Sequence, residues 1–300
     1  MTPQPPLSGQ TPEAAVIIPH FNDTARLRKC LAALVAQLAP GRPVEIIVAD
    51  NASSEDISGI IAEFPQVRFI TEPKKGAAEA RNAGVRASCA PRLFFIDADC
   101  IPAPDWLATA LALPGTDGMI GGTVRVFDET PPPRSGAEAF ETVFAFRQQA
   151  YIARGFSVTA NLLTTRATFD AVGDFNPRVV EDSDWCHRAG ALGYAIRFEP
   201  ALVVAHPTRR DWPALRKKWR RTTSENYFVG GTDPLARLKW GLRAFAVAGS
   251  GLAHIPQVMA HPDLSAQEKR RGVATLLRLR LARAGWMLKQ ALLSEPPLNT

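Results

Sequence analysis

A parallel, doubly wound α/β sheet followed by a basic helical extension is the fold class this sequence predicts, and three observations predict it. Apolar β-branched runs alternate with helix-spaced segments over the first hundred or so residues. One such run, Arg92-Leu93-Phe94-Phe95-Ile96, ends abruptly in Asp97-Ala98-Asp99. The charge balance also breaks near residue 208: residues 1–208 carry 18 Lys/Arg and 23 Asp/Glu, residues 209–300 carry 17 and 6. At 300 residues and 46% hydrophobic, the chain has ample material for a packed core.

The elements follow in order. Residues 1–12, rich in Pro and Gln, read as a flexible tail without a basic n-region or apolar h-region, so no secretion signal is expected. Ala14-Ala15-Val16-Ile17-Ile18-Pro19 is a buried strand stopping at proline. Asn22 or Asp23 caps a helix whose Leu27, Cys30, Leu31, Leu34 and Leu38 share one face. Val44-Glu45-Ile46-Ile47-Val48-Ala49-Asp50 is the second strand, followed by a turn, a short helix to Phe64, a third strand at 67–70, a helix at 76–88 and a fourth strand at 93–96.

Strands alternating with helices imply parallel pairing, and ligands on such sheets bind outside the carboxyl ends of the strands. Asp50 and Asp97 to Asp99 therefore face one crevice. Alternation along the fourth strand would put Asp97 and Asp99 on one side, an oxygen pair suited to Mg²⁺ or Mn²⁺; the same tripeptide also serves simply to cap a strand. No GxGxxG or GxxxxGK[ST] follows the first strand, which argues against dinucleotide-fold and P-loop phosphate cradles.

Beyond the crevice, residues 118–127 read as extended and 128–136, with Pro131-Pro132-Pro133, as a surface loop. Residues 138–151 read as helix, 158–163 as extended, 166–172 as a short helix, and 173–176 as a turn. A helix through Ala191 begins at Glu181-Asp182-Ser183-Asp184, and strands at 196–198 and 201–205 end at His206. The four cysteines lack zinc-like spacing and read as reduced core residues of a cytosolic protein. The apolar run at 244–253 is too short to span a bilayer.

Eight landmarks, in order over about residues 13–208, strongly resemble a family-2 glycosyltransferase with the GT-A fold. They are Val16-Ile17-Ile18-Pro19-His20-Phe21-Asn22, Ile47-Val48-Ala49-Asp50-Asn51, the segment from Lys75-Gly76 through Arg81-Asn82-Ala83-Gly84, Phe95-Ile96-Asp97-Ala98-Asp99, Ala160-Asn161, Val172-Gly173-Asp174-Phe175, Glu181-Asp182-Ser183-Asp184 and Val203-Val204-Ala205-His206. The resemblance implies a Rossmann-like, mostly parallel mixed sheet flanked by helices, with residues 13–100 as the nucleotide-binding half, 101–208 as the acceptor-binding half and 209–300 as a basic, mainly helical region.

It also implies roles. Pro19, His20, Phe21, Asp50, Asn51, Lys75, Arg81, Asp97 and Ala98 would line the nucleotide-sugar. Asp99 and His206 would hold Mg²⁺ or Mn²⁺, Asp182 would be the base that deprotonates the acceptor, and Asn161, Glu181 and Trp185 would meet the acceptor. Structural alternatives stand beside these: Asp50 as a turn-forming Asx residue, Arg81 as a surface helix residue, His206 as a strand-end histidine, and the acids at 181–184 as helix N-terminal residues favoured by the macrodipole.

The reaction so implied is metal-dependent, inverting transfer from a UDP- or dTDP-linked sugar to a glycan or lipid-linked acceptor in envelope or polysaccharide assembly. Rival readings are a sugar-phosphate nucleotidyltransferase, whose glycine-rich basic loop is missing after the first strand, and a nucleic-acid-binding protein. Against the latter, no helix-turn-helix, zinc-finger or RNP-like signature is evident, and no nucleic-acid partner is expected.

In the basic region, Trp212 and Trp219 interleave with Arg209, Arg210, Arg216, Lys217, Lys218, Arg220 and Arg221. Leu276, Leu279 and Trp286 with Arg278 and Arg283 suggest an amphipathic helix. Either these cations and rings meet a membrane surface, placing a cytoplasmic protein at the inner face of the cell membrane, or the helices pack and leave a solvated basic face.

Overall fold

A computed structural model describes residues 11–115, 117–229, 231 and 233–293. Most of the expected tail, residues 1–10, lies outside the described residues. The elements are β1 (Ala14–His20), α1 (Thr24–Val35), β2 (Val44–Asp50), α2 (Ser58–Glu63), β3 (Arg68–Thr71), α3 (Ala77–Ala87), β4 (Arg92–Phe95), β5 (Ile101–Pro102), α4 (Trp106–Ala112), β6 (Met119–Phe127), α5 (Gly136–Phe144), α6 (Gln148–Ile152), β7 (Leu162–Thr165), α7 (Arg166–Val172), α8 (Glu181–Ala191), β8 (Ile196–Pro207), α9 (Trp212–Val229), α10 (Pro234–Ala253), α11 (Ile255–Met259) and α12 (Ala266–Leu293).

Among the described residues, eight strands form one mixed sheet in the order β3-β2-β1-β4-β7-β6-β8-β5. Strands β3, β2, β1 and β4 are mutually parallel, and β7 then pairs antiparallel with both β4 and β6. The mixed α/β sheet with a helical C-terminal region agrees with the sequence reading, and the parallel half explains the uninterrupted apolar strands. Residues 14 to 18 of β1 are completely buried, as a central parallel strand covered on both faces requires. Helix α1 starts where the Asp23 side chain accepts the Arg26 N–H, and it buries Leu27, Cys30, Leu31 and Leu34 against that sheet.

Three local expectations differ. The single helix read over 138–151 is two, α5 and α6, broken where Phe146 takes φ +49°. The two short strands at 196–198 and 201–205 are one, β8, passing through Pro200, whose carbonyl accepts the Thr123 hydroxyl at 3.0 Å. Residues 159–161, read as extended, form a 3-10 turn ahead of β7.

The described residues divide into two compact units, those up to 125 with 147–206 and those of 126–146 with the stretch from 207 onward. In the first, Ile17, Val85, Leu93, Phe95, Phe169, Phe175 and Trp185 form the core between the sheet and helices α3, α7 and α8. Gly84 lets α3 lie against β1, since a Cβ there would sit 2.6 Å from Cγ2 of Ile17. That close approach fixes the height of α3, and with it the side chains of Arg81 and Asn82.

The second unit is helical, with α5 packed among the C-terminal helices around Phe140, Leu215, Val258, Leu276 and Leu279. Its two interleaved tryptophans turn inward rather than forming an aromatic belt. The rings of Trp212 and Trp219 join that core, and the guanidinium groups of Arg278 and Arg283 stack over them at 4.0 and 4.4 Å. Buried Glu141 draws the Lys218 ammonium to 2.7 Å and accepts the Arg209 N–H at 2.7 Å. Part of the basic excess is thus structural.

A candidate donor and acceptor site at the strand ends

All sequence-nominated site residues fall in the first unit. Where the sequence expects the nucleotide, β1 and β2 end together, with His20 beside Asp50. The Asp50 carboxylate accepts the His20 Nδ1–H at 2.9 Å, the Ser53 hydroxyl at 2.6 Å and the Ser53 N–H at 3.0 Å. His20 Nε2 in turn accepts the Asp23 N–H at 3.2 Å, a network that assigns the proton to Nδ1. His20, expected at the base, is 1% exposed with both ring nitrogens engaged. Its place is that of a brace behind Asp50.

Asn51 is likewise spent on the backbone. Its amide donates to the carbonyls of Glu72 and Lys74 and accepts the Gly76 N–H, pinning the loop that carries Lys75. Lys75 is exposed on that loop. Phe21, 51% exposed, and the partly exposed Pro19 remain as surfaces for a planar base. Asn22, which the sequence reading used only as a helix cap, ties the two strand-end loops together by accepting the N–H groups of Ser54 and Glu55.

At the centre, β4 stops at Phe95, and Asp97 and Asp99 lie beyond it in a turn closed by the Cys100 N–H on the Asp97 carbonyl at 3.0 Å. The two carboxylates therefore converge through a turn and not through strand alternation. His206, delivered by β8, brings Nε2 to 3.3 Å from Asp99. One ligand atom from each of Asp97, Asp99 and His206 lies within 4.8 Å of the others. Two hard oxygens and an imidazole suit a divalent cation such as Mg²⁺ or Mn²⁺, so the residues fit the expected ion. Ala98, between the aspartates, is buried.

Arg81 joins this centre to the first turn of α8. Only 4% of its side chain is exposed, and its guanidinium donates to Asp97 at 2.6 Å and to Glu181 at 2.9 Å. Burial alone would lower its pKa, but the facing charges of Asp97 and Glu181 more than offset this and hold it protonated. The sequence left Arg81 open between a surface helix residue and a diphosphate contact. The fold makes it the buried counter-ion of two carboxylates.

Three acids occupy the first turn of α8. Glu181 is paired with Arg81, and Asp184 accepts the Arg188 Nε–H at 2.8 Å. Asp182 accepts the neighbouring Ser183 N–H at 2.8 Å. Its carboxyl is pushed up to about 7, first by burial and then by the Glu181 charge, with the Ser183 bond and Arg81 opposing. A carboxyl so placed is a proton acceptor near neutral pH.

Two residues expected at the acceptor are fully buried and bonded within the protein. Trp185 is fully buried; its ring packs on Phe169 and Phe175, and its Nε1–H donates to the Gly173 carbonyl at 2.8 Å. Asn161 is fully buried too, accepting the Trp106 Nε1–H at 3.0 Å and donating to the carbonyls of Thr123 and Leu202. Gly122 makes room for it, because a Cβ there would lie 2.2 Å from its amide nitrogen. Asn82 received no role from the sequence. It exchanges two 2.9 Å hydrogen bonds with the backbone of Phe175, fixing the turn ahead of α8. An asparagine inside a helix, where it is a poor helix former, was the available signal.

A mixed sheet that gathers two carboxylates and a histidine at its strand ends fits the GT-A class of glycosyltransferases, and solved structures of that class share this fold. A mannosyltransferase from Pyrobaculum calidifontis, solved with GDP-Man and Mn²⁺, superposes with a TM-score of 0.55 at 17% identity, covering 94% of this chain and 74% of its own. TarS residues 1–349 from S. aureus superpose at 0.51, with 14% identity over 90% and 72% of the two chains. The family model for glycosyl transferase family 2 matches residues 15–177, more than half the chain, and the protein belongs to that family and is a glycosyltransferase. It is 28% identical to glycosyltransferase AglE of Haloferax volcanii over 71% of this chain and 73% of that protein. It is also 26% identical to the pre-mycofactocin glycosyltransferase of Mycobacterium tuberculosis over 78% of this chain, which spans half of that longer protein.

Proposed function

We propose that the protein transfers a sugar from a UDP- or dTDP-linked donor to a hydroxyl of a glycan or lipid-linked acceptor, inverting the anomeric carbon. The observation that carries this reading is Asp182: one carboxyl with its pKa near neutrality, separated by the Arg81 bridge from the Asp97, Asp99 and His206 cluster. One carboxyl titrating near neutrality, beside Glu181 and Asp184 already paired with Arg81 and Arg188, suits a single base and one direct displacement.

In that reading Phe21 packs on the nucleotide base, and Asp50, braced by His20 and Ser53, uses its remaining lone pair on a base N–H or ribose hydroxyl. Asp97, Asp99 and His206 would hold Mg²⁺ or Mn²⁺, which when bound would neutralise the charge developing on the departing diphosphate. Asp182 takes the proton from the acceptor hydroxyl as its oxygen bonds to the anomeric carbon; the bond to the diphosphate oxygen breaks, and the nucleoside diphosphate leaves with the electron pair. Glu181, held by Arg81, faces the same side and can accept a sugar hydroxyl. Residues 13–100 would serve the donor and 101–208 the acceptor, in polymer or envelope assembly on the inner side of the cell membrane.

The test is a donor panel assayed for divalent-cation-dependent release of nucleoside diphosphate, with Asp182→Asn and Asp99→Ala as controls. Release from one donor, lost in both variants, is the expected result. Pyrophosphate release, or activity indifferent to both substitutions, would overturn the reading.

A further inference from the structure

We propose that α10 is an interfacial helix that lays its solvent-facing side into the headgroup region of an anionic phospholipid bilayer. This stands apart from the transfer reading and replaces the tryptophan-rich segment as the membrane contact. Leu235, Leu238, Leu242, Phe245 and Leu252 recur at alternating steps of three and four, with Gly249 filling the one gap. They therefore share one face, over about 26 Å of axis at 1.5 Å per residue. All five are solvent-facing, at 58%, 61%, 62%, 66% and 68% exposure, while Trp240, Ala244 and Gly251 on the opposite face are buried towards α12. Soluble surfaces scatter large apolar side chains singly; a continuous strip of this kind marks a contact site.

Charge selects the occupant. Residues 234–253 contain Arg237, Lys239 and Arg243 and no Asp or Glu, and these cations flank the strip on both sides. Arg237 caps α12 by donating to the carbonyls of Ala291 and Leu292, and Lys239 and Arg243 are exposed. The one acid of α12, Glu268, is buried. A second copy docked strip to strip would set Lys239 and Arg243 of each chain against those of the other without an acidic partner on the helix. Lipid phosphates meet the same cations with opposite charge. None of the described helices is long and apolar enough to cross a membrane, so the contact is parallel to the surface.

The experiment is co-sedimentation of the full chain with extruded vesicles of phosphatidylcholine alone or with about one third phosphatidylglycerol. Companion variants are Leu242→Ser with Phe245→Ser and Lys239→Gln with Arg243→Gln, and donor turnover in vesicle-free solution is read in parallel. Expected are preferential binding to the anionic vesicles, a loss of at least about 30-fold in the apolar variant and about tenfold in the charge variant. Circular dichroism and vesicle-free turnover should stay unchanged, because the substituted side chains face solvent. Absence of binding to anionic vesicles, an apolar variant that binds as well as the parent, or a dimer in light scattering that only the apolar variant dissolves would each overturn the proposal. None of these outcomes touches the transfer reading, which the turnover measurement reads separately.

Discussion

Asp182→Asn should inactivate the enzyme and stabilise it at the same time. The carboxyl sits at about 7 instead of near 3.8, so above neutral pH the folded chain carries a charge that its surroundings resist. That interval corresponds to about 4 kcal/mol at about 1.4 kcal/mol per pH unit. The side chain keeps some contact with solvent, which brings the expected gain to about 2 kcal/mol. The sign follows from linkage: between about pH 4 and 7 the native state holds a proton that the unfolded chain releases, so the parent loses stability as pH rises through that window and then levels off. Asparagine cannot ionise and still offers an acceptor to the Ser183 N–H. The advantage of the variant should vanish near pH 4, grow to pH 7 and stay constant above. Urea unfolding of both proteins at several pH values measures this, and nucleoside diphosphate release should fall by about 10²–10⁴. A variant no more stable than the parent at pH 8, or an advantage independent of pH, would refute the placement of that charge.

Three further outcomes are expected. Trp185→Ala should cost about 3–5 kcal/mol in chemical unfolding by removing a buried ring from the core; unchanged stability with only a raised acceptor KM would restore the acceptor role. Asn161→Ala should cost about 3 kcal/mol, because it leaves the Trp106 indole N–H and the carbonyls of Thr123 and Leu202 unpaired at a fully buried site, and the fall in melting temperature reports it. Asp99→Ala should weaken Mn²⁺ binding in calorimetry at least about tenfold while leaving the unfolding midpoint near that of the parent; equal affinity would remove Asp99 from the ligand set.

What the sequence made legible was whatever local pattern decides. Strands β1, β2 and β4 are central, and their buried stretches, Ala14 to Ile18, Ile46 to Ala49 and Leu93 to Phe95, are apolar, so their ends and the acids there could be placed directly. The break at Phe146 could not, because a left-handed non-glycine residue leaves no compositional trace, nor could the continuity of β8 through Pro200. In the site, chemistry was read from residue type, and residue type alone does not say where hydrogen bonds go. His20, Asn51 and Asn161 are polar residues at motif positions, yet each bonds partners 20 or more residues away, and Asp23 takes up the other ring nitrogen of His20. Trp185 follows three acids and looks exposed in sequence, but helical geometry turns it onto Phe169 and Phe175. Asp97 and Asp99 do share a site, though a turn brings them together.

The bonds made by α3 bear on how this enzyme comes into being. Asn82 reaches Phe175 across 93 residues and Arg81 reaches Glu181 across 100, while β4 lies in the sheet beside β7. Such distant pairings form late and together in folding, after the entropy of closing long loops has been met. A chain cut after Asp99 would leave the buried guanidinium of Arg81 without Glu181 and Phe95 without its aromatic cover. Residues before and after Asp99 are therefore expected to fold together, and a nascent chain stopped before α8 lacks the carboxylate that meets Arg81.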